Sequence, residues 1–232
     1  MKKINPLIAI IISALILISC ASNETSESNK VVQSEIYQQY SVSYSSSNNE
    51  LDVYASFRFG GENGTTLQLV EKSKIVYNDN NLKSHTSGWF GTSYKYNIKT
   101  DYKVEHKFKY INNDGEVLEN SIQLLKVEPI LKSIKISKSS GCVIEWEGQL
   151  TTGKDDLEIK IADSSQTLTF IPEMVGASSL TIKPNQISNL KIGNGNIYAE
   201  RKVISSLEKP TLKGGKISST YYSKKIKIEI VE

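Results

Sequence analysis

The chain has 232 residues, a formal net charge of +3, two cysteines and two histidines. A net charge this close to zero gives no indication of a basic surface that would bind nucleic acid. We therefore predict that nucleic acid is not a partner. The sequence also lacks H-x-x-x-H, C-x-x-C and G-x-S-x-G patterns, which are the minimum parts of zinc sites and of serine hydrolases with an α/β fold. We therefore predict a protein that is not an enzyme, with no catalytic residues, no metal site and no cofactor.

The first twenty residues have the features of a secretion leader. Two lysines precede an uncharged stretch at 7–18, which is followed by Ser19 and Cys20. As a helix that stretch would span about 18 Å, well short of the ~30 Å hydrocarbon core of a bilayer. A basic start, a short apolar region and a small residue predict a cleaved signal peptide over residues 1–19.

The last four residues of this leader region, Leu17–Cys20, read LISC. They resemble the lipobox of bacterial lipoproteins, and the resemblance covers the leader alone. It implies cleavage before Cys20, a diacylglycerol thioether on its sulfur and acylation, for example with palmitate, of the new amino group. The protein would then be anchored to the cell envelope, and Ala21 implies the outer membrane if the cell has two membranes. The alternative is an ordinary signal peptide with a cysteine near its cleavage site.

Beyond the leader, the chain changes from aperiodic to alternating. Residues 20–33 are polar and without period, which predicts a lipidated cysteine followed by a flexible tether. Apolar and polar residues then alternate, as in 51–59 and 102–110, and period-two alternation is typical of half-buried strands. No segment after the leader has helical periodicity, so the sequence predicts an all-β protein.

The alternation is interrupted at Pro129, because proline cannot donate a ladder hydrogen bond. We predict two tandem immunoglobulin-like β-sandwich domains, at 34–128 and 129–232. Cys142 alternates with apolar residues up to Trp146 in the second domain, which predicts a buried, unreactive thiol once Cys20 is lipidated.

An aromatic stretch in the first domain reads SGWFGTSYKY and places Trp89 and Phe90 between glycines, with Tyr94 and Tyr96 after them. Connections lie at the surface, where aromatic rings stack on sugars or anchor protein partners. These four residues are therefore our candidate ligand-binding residues. The alternative is that Trp89 or Phe90 folds back into the end of the sandwich while the two tyrosines begin a strand.

These features predict a membrane-anchored cell-envelope lipoprotein that acts as a non-catalytic binding module for an envelope protein or for adhesion. The alternative is a carbohydrate-binding module of a glycan-uptake system that uses the aromatic stretch Trp89–Tyr96. Coplanar, exposed rings would favour the glycan, and buried rings would favour the protein-interaction module.

Overall fold

The computed structural model describes residues 25–232, so the predicted signal peptide and Cys20 lie outside the described residues. The described chain is nearly all β, with nineteen strands, two short 3-10 turns and a single α-helical turn. This confirms the all-β prediction made from the alternating pattern. Between residues 25 and 232, no helix has the length and apolar character needed to cross a bilayer.

The strands alternate with short connections along the whole described chain. The first ten are β1 (Thr25–Glu27), β2 (Ile36–Ser45), β3 (Glu50–Phe59), β4 (Thr65–Gln68), β5 (Lys74–Tyr77), β6 (Asn80–Asn81), β7 (Lys83–Ser87), β8 (Gly91–Lys99), β9 (Glu105–Ile111) and β10 (Val117–Gln123). The last nine are β11 (Val127–Ile130), β12 (Lys135–Ser137), β13 (Cys142–Gly148), β14 (Asp155–Ala162), β15 (Thr167–Phe170), β16 (Ser179–Ile182), β17 (Gly193–Ser206), β18 (Gly215–Tyr222) and β19 (Ile226–Val231). The 3-10 turns are Ser28–Lys30 and Gln33–Glu35, and helix α1 is Pro184–Ile187.

One twelve-stranded sheet runs through both halves of the chain. Its main path is β1–β4–β3–β2–β18–β17–β14–β15, with β8 and β7 branching from β3, and β19 and β12 branching from β17. A four-stranded sheet, β10–β9–β5–β6, packs on the N-terminal part, and a three-stranded sheet, β11–β13–β16, belongs to the C-terminal part. The fold is thus two immunoglobulin-like β-sandwiches in tandem, as the sequence predicted.

The core of the first sandwich is aromatic. Tyr40 stacks on Phe108 with ring centroids 4.8 Å apart, and Phe57 contacts Tyr110 at 4.4 Å. All four side chains are buried, and each occupies an inward position of an alternating strand. Rings of this size bury a large apolar area, so they hold the two sheets of this sandwich together.

The two halves are joined by a parallel pair of strands. Gly215–Tyr222 of β18 lies in register with Gln38–Ser45 of β2 over eight residues. Pro129 lies within β11, an edge strand, where a missing N–H leaves no gap in a ladder. The division of the chain after residue 128 stays a prediction, and the structure adds that a shared sheet crosses it.

The tether predicted over 20–33 differs from the structure in its described part. Strand β1 pairs in parallel with β4, and the side chains of Ser28 and Gln33 are buried. Gln33 donates from Nε2 to the Ser28 carbonyl at 2.7 Å and accepts from the Asn113 N–H at 3.1 Å. The polar side chains satisfy one another's hydrogen bonds inside the fold, which an aperiodic polar sequence does not reveal. Only residues 21–24 therefore lie between the predicted anchor and the folded body.

Candidate functional site

The aromatic stretch forms the apex of a β-hairpin. Strands β7 and β8 pair antiparallel up to Ser87 opposite Gly91, which leaves residues 88–90 as the turn. The Ser87 hydroxyl accepts a hydrogen bond from the Trp89 N–H at 3.4 Å. Gly91 has a φ of +67°, and a Cβ there would collide with the Thr66 side chain. Glycine is therefore required where the hairpin passes over β4.

Trp89 and Phe90 lie at this apex with 79% and 81% of their surfaces exposed. We call these two residues the aromatic tip. Neither ring folds back into the end of the sandwich, so the plug alternative does not describe them. Two adjacent, exposed large rings on a fixed turn are typical of an interaction site rather than of core packing.

The two tyrosines of the stretch have a different role. Tyr94 is only 4% exposed, and its hydroxyl oxygen accepts the Leu69 N–H at 2.6 Å. Burial raises the pKa of Tyr94, and its ring packs edge-on against Phe57. Tyr96 is half-buried, with its ring 6.3 Å from that of Tyr77. Both tyrosines fix β8 to the body, so the exposed site consists of Trp89 and Phe90 alone.

A network of threonine hydroxyls lies at the base of the hairpin. Thr25 and Thr66 are in contact through their Oγ1 atoms at 3.0 Å, and Thr92 donates from Oγ1 to Thr25 at 3.4 Å and from its N–H to Thr66 at 3.1 Å. Thr86 lies across the hairpin, 3.0 Å from the Thr92 hydroxyl. The beginning of the described chain is thus held directly beneath the aromatic tip. Sequence reasoning missed this network because its members are far apart in the chain and have no shared pattern.

Two residues with side chains of reactive types, His106 and Cys142, are buried and partly buried, respectively. His106 is buried, with Nε2 3.0 Å from the Lys103 carbonyl and Nδ1 in contact with the Tyr77 hydroxyl. Burial lowers the pKa of His106 and raises that of Cys142 to about 11, so the thiol stays protonated at neutral pH. Over the part of the chain that the structure describes, no three His, Cys, Asp or Glu side chains converge as a metal site.

An open groove of about 650 Å³ runs beside β9 and β10. Lysine and glutamate alternate along it, and they pair with each other, as in Lys109 with Glu119 at 3.5 Å and Lys107 with Glu105 at 3.9 Å. Exposed ion pairs of this kind contribute little and are typical of a solvated face. We therefore place the candidate site at the aromatic tip and not in this groove.

No protein-family model matches this chain, and no curated protein sequence is detectably similar to it. Among solved structures, it is similar to a bacterial ice-binding adhesin, with 8% identity, a TM-score of 0.24, 84% of this chain covered and 64% of the other. It is also similar to the FN1–FN3 domains of chicken CNTN1, with 11% identity, a TM-score of 0.21, and 74% and 62% covered. A third is SGBP-B of a Bacteroides ovatus mixed-linkage glucan utilization locus, with 8% identity, a TM-score of 0.18, and 75% and 53% covered. The chain thus spans between half and two thirds of each of these structures.

Proposed function

We propose that this chain is a membrane-anchored cell-envelope lipoprotein that acts as a non-catalytic binding module, with the aromatic tip as its contact site. The observation that carries the proposal is the exposure of Trp89 and Phe90 at the apex of a hairpin. The LISC sequence ending at Cys20 supports the anchor, and Ala21 after it favours the outer membrane where the cell has two membranes.

The hairpin presents the tip in a fixed position. The ladder between β7 and β8, the positive φ of Gly91 and the threonine network beneath it all restrict the turn. A contact residue that is already held in place loses little conformational freedom when it binds. Tryptophan is also among the residues that contribute most to binding at interfaces.

The second candidate is a carbohydrate-binding module, which the exposed Trp89 favours because indole rings stack on sugars. A flat platform of four rings is not present, since Tyr94 is buried and Tyr96 packs against the body. Two neighbouring rings at the apex of a narrow turn offer a smaller surface to a glycan. We therefore treat glycan binding as one outcome of the test below.

Mass spectrometry of the mature N-terminus tests the anchor. We expect Cys20 as the first residue with acyl groups attached, and we expect Cys20→Ala to release the protein from membranes or to leave it unprocessed. A mature N-terminus elsewhere, with no lipid on Cys20, would exclude the lipoprotein.

Site-specific photo-crosslinking in intact cell envelopes tests the contact. The full-length protein carries p-benzoylphenylalanine in place of Phe90, and a control carries it in place of Ser47, an exposed residue in the turn between β2 and β3. We expect adducts from position 90 and few from position 47, and the mass of the adduct identifies a protein, a glycan or a lipid. Equal yields at the two positions would remove the aromatic tip as the contact site.

A further inference from the structure

The strands around the aromatic tip define two ends of the sheet. Strands β2 and β3 pair over their whole length, with Ile36 opposite Phe59 at one end and Ser45 opposite Glu50 at the other. Strand β8 is antiparallel to β3 and has Lys99 opposite Glu50, so it begins near the Phe59 end. We call the end with Ile36, Phe59 and the aromatic tip the proximal end, and the end with residues 46–49 the distal end.

The described chain starts at the proximal end. Strand β4 begins opposite Phe59, and Thr25 lies in register with Thr66 on β4. The Thr25 hydroxyl is 3.4 Å from that of Thr92, which is two residues from Phe90 and so within about 7 Å of it along the backbone. Cys20 is five residues before Thr25, a separation of at most about 18 Å even for fully extended chain. A lipid on Cys20 is therefore attached to the chain at the proximal end, where the tip also lies.

Apolar side chains are exposed around the same end. Leu212 belongs to the connection between β17 and β18, which is fixed to the start of β2 by hydrogen bonds from Thr211 Oγ1 to the Ile36 carbonyl and from the Lys213 N–H to the Ser34 carbonyl. The exposed apolar residues of this end, with their exposed fractions, are Val32 (61%), Phe59 (38%), Trp89 (79%), Phe90 (81%) and Leu212 (85%). The turn at the distal end instead reads Ser-Ser-Asn-Asn.

Two lysines near the proximal end are paired with glutamates: Lys213 lies 2.9 Å from Glu35, and Lys216 forms an ion pair with Glu62. Because the charges of these lysines are neutralised locally, we expect apolar contact to provide most of the attraction to the bilayer. Tryptophan and phenylalanine suit that role, since aromatic and apolar side chains enter the interfacial region of a bilayer.

We infer that the aromatic tip inserts into the interfacial region of the bilayer that holds the acyl chains of Cys20. The proximal end then rests on the membrane, and the distal end points away from it. This inference rests on the proposed lipid anchor and names the lipid bilayer as the partner of the same site. A protein or glycan partner at the tip would have to share the narrow space between the folded body and the anchor.

Tryptophan fluorescence provides the test, because the chain has only two tryptophans and the other one, Trp146, is 6% exposed in the second sandwich. Full-length, lipidated protein is reconstituted in phosphatidylethanolamine–phosphatidylglycerol vesicles with and without brominated acyl chains. We expect Trp89 emission to shift to shorter wavelength on reconstitution and to lose most of its intensity in brominated vesicles. In Trp89→Phe, the remaining emission should be insensitive to bromine. High salt should leave the quenching unchanged.

A reporter at the distal end is the matched control. Ser47→Trp in the Trp89→Phe background places an exposed tryptophan beyond β3, a strand about 31 Å long. We expect no quenching from this position. Equal quenching at positions 47 and 89, or no quenching at 89 in protein that floats with the vesicles, overturns the inference and leaves the anchor intact. Protein that does not float with the vesicles overturns the anchor itself, and with it the inference.

Discussion

The guanidinium of Arg201 and the carboxylate of Asp155 form an ion pair, Nε to Oδ2 2.8 Å, in which both side chains are fully buried. The other guanidinium N–H groups donate to three backbone carbonyls, among them that of Leu150 at 2.7 Å. Asp155 also accepts the Thr152 N–H at 2.7 Å. The polar atoms of this pair are hydrogen-bonded, and through these bonds the pair links β17 to the connection before β14 and to the chain before β11.

Replacing Arg201 with methionine should destabilise the protein strongly. The substitution leaves the Asp155 carboxylate buried without its partner, which costs about 3–5 kcal/mol in comparable pairs. Lys202→Met, at the exposed neighbouring position, is the control and should stay within about ±0.5 kcal/mol. Urea unfolding of the three proteins measures the difference. Similar losses for both substitutions would mean that the ion pair is not important for the fold.

The same pair predicts a loss of stability in acid. Burial by itself would raise the pKa of Asp155, but hydrogen bonds from Thr152 and the charge of Arg201 hold it below its ordinary value. The stabilisation is therefore complete above the ordinary aspartate pKa of about 4 and is lost as the pH falls through the lower folded-state pKa. Asp155→Asn should flatten the dependence of unfolding free energy on pH below about 4. Asp156→Asn, exposed on the same strand, should retain the slope of the unsubstituted protein.

The alternation of apolar and polar residues predicted the fold class and most inward positions. Arg201 shows what this pattern cannot predict. Arginine falls in the inward register between Ala199 and Val203, a signal that a charge is buried. Its partner is 46 residues away in the chain, and a one-dimensional pattern has no information about such pairings. For the same reason, the pairing of β2 with β18 and that of β1 with β4 could not be predicted from the sequence.

For the candidate site, the sequence predicted a connection with aromatic residues but not their exposure. Glycines on both sides of Trp89 and Phe90 indicate a turn, whereas hydrophobicity alone favours burial of both rings. The path of the hairpin over β4 involves a close approach of Gly91 to the Thr66 side chain. That contact joins residues from separate strands and cannot be inferred from local spacing.

A hydrogen bond between β18 and β11, which belong to different sheets, should contribute measurably to stability. The Tyr221 hydroxyl donates to Glu128 Oε1 at 2.6 Å, and the Lys224 N–H donates to the other carboxylate oxygen at 3.2 Å. Tyr221→Phe removes the donor and should cost about 1.5–3 kcal/mol, the range for hydrogen bonds to charged groups. Tyr222→Phe, 42% exposed at the next position, should have little effect in the same denaturant experiment. Equal effects at 221 and 222 would mean that this hydrogen bond does not help to hold the two sheets together.

Separating the chain after residue 128 tests the predicted domains. If each half is a domain, both should show β circular dichroism, but each would expose the edge of β2 or β18 that the other normally covers. We therefore expect each half to unfold at a lower temperature than the whole protein and the two to associate one to one when mixed. A half with no β signal on its own would refute the two-domain division.

The aromatic tip should be dispensable for folding. Surface substitutions usually change stability by less than about 0.5 kcal/mol, whereas truncating a packed aromatic ring costs about 3–5 kcal/mol. Trp89→Ala with Phe90→Ala should therefore unfold at nearly the same denaturant concentration as the unsubstituted protein, because both rings are about four-fifths exposed. Tyr94→Ala, four residues after Phe90 and buried within β8, is the matched control and should unfold far more easily. A tip variant as unstable as Tyr94→Ala would place the two rings in the core and remove the basis for the contact site.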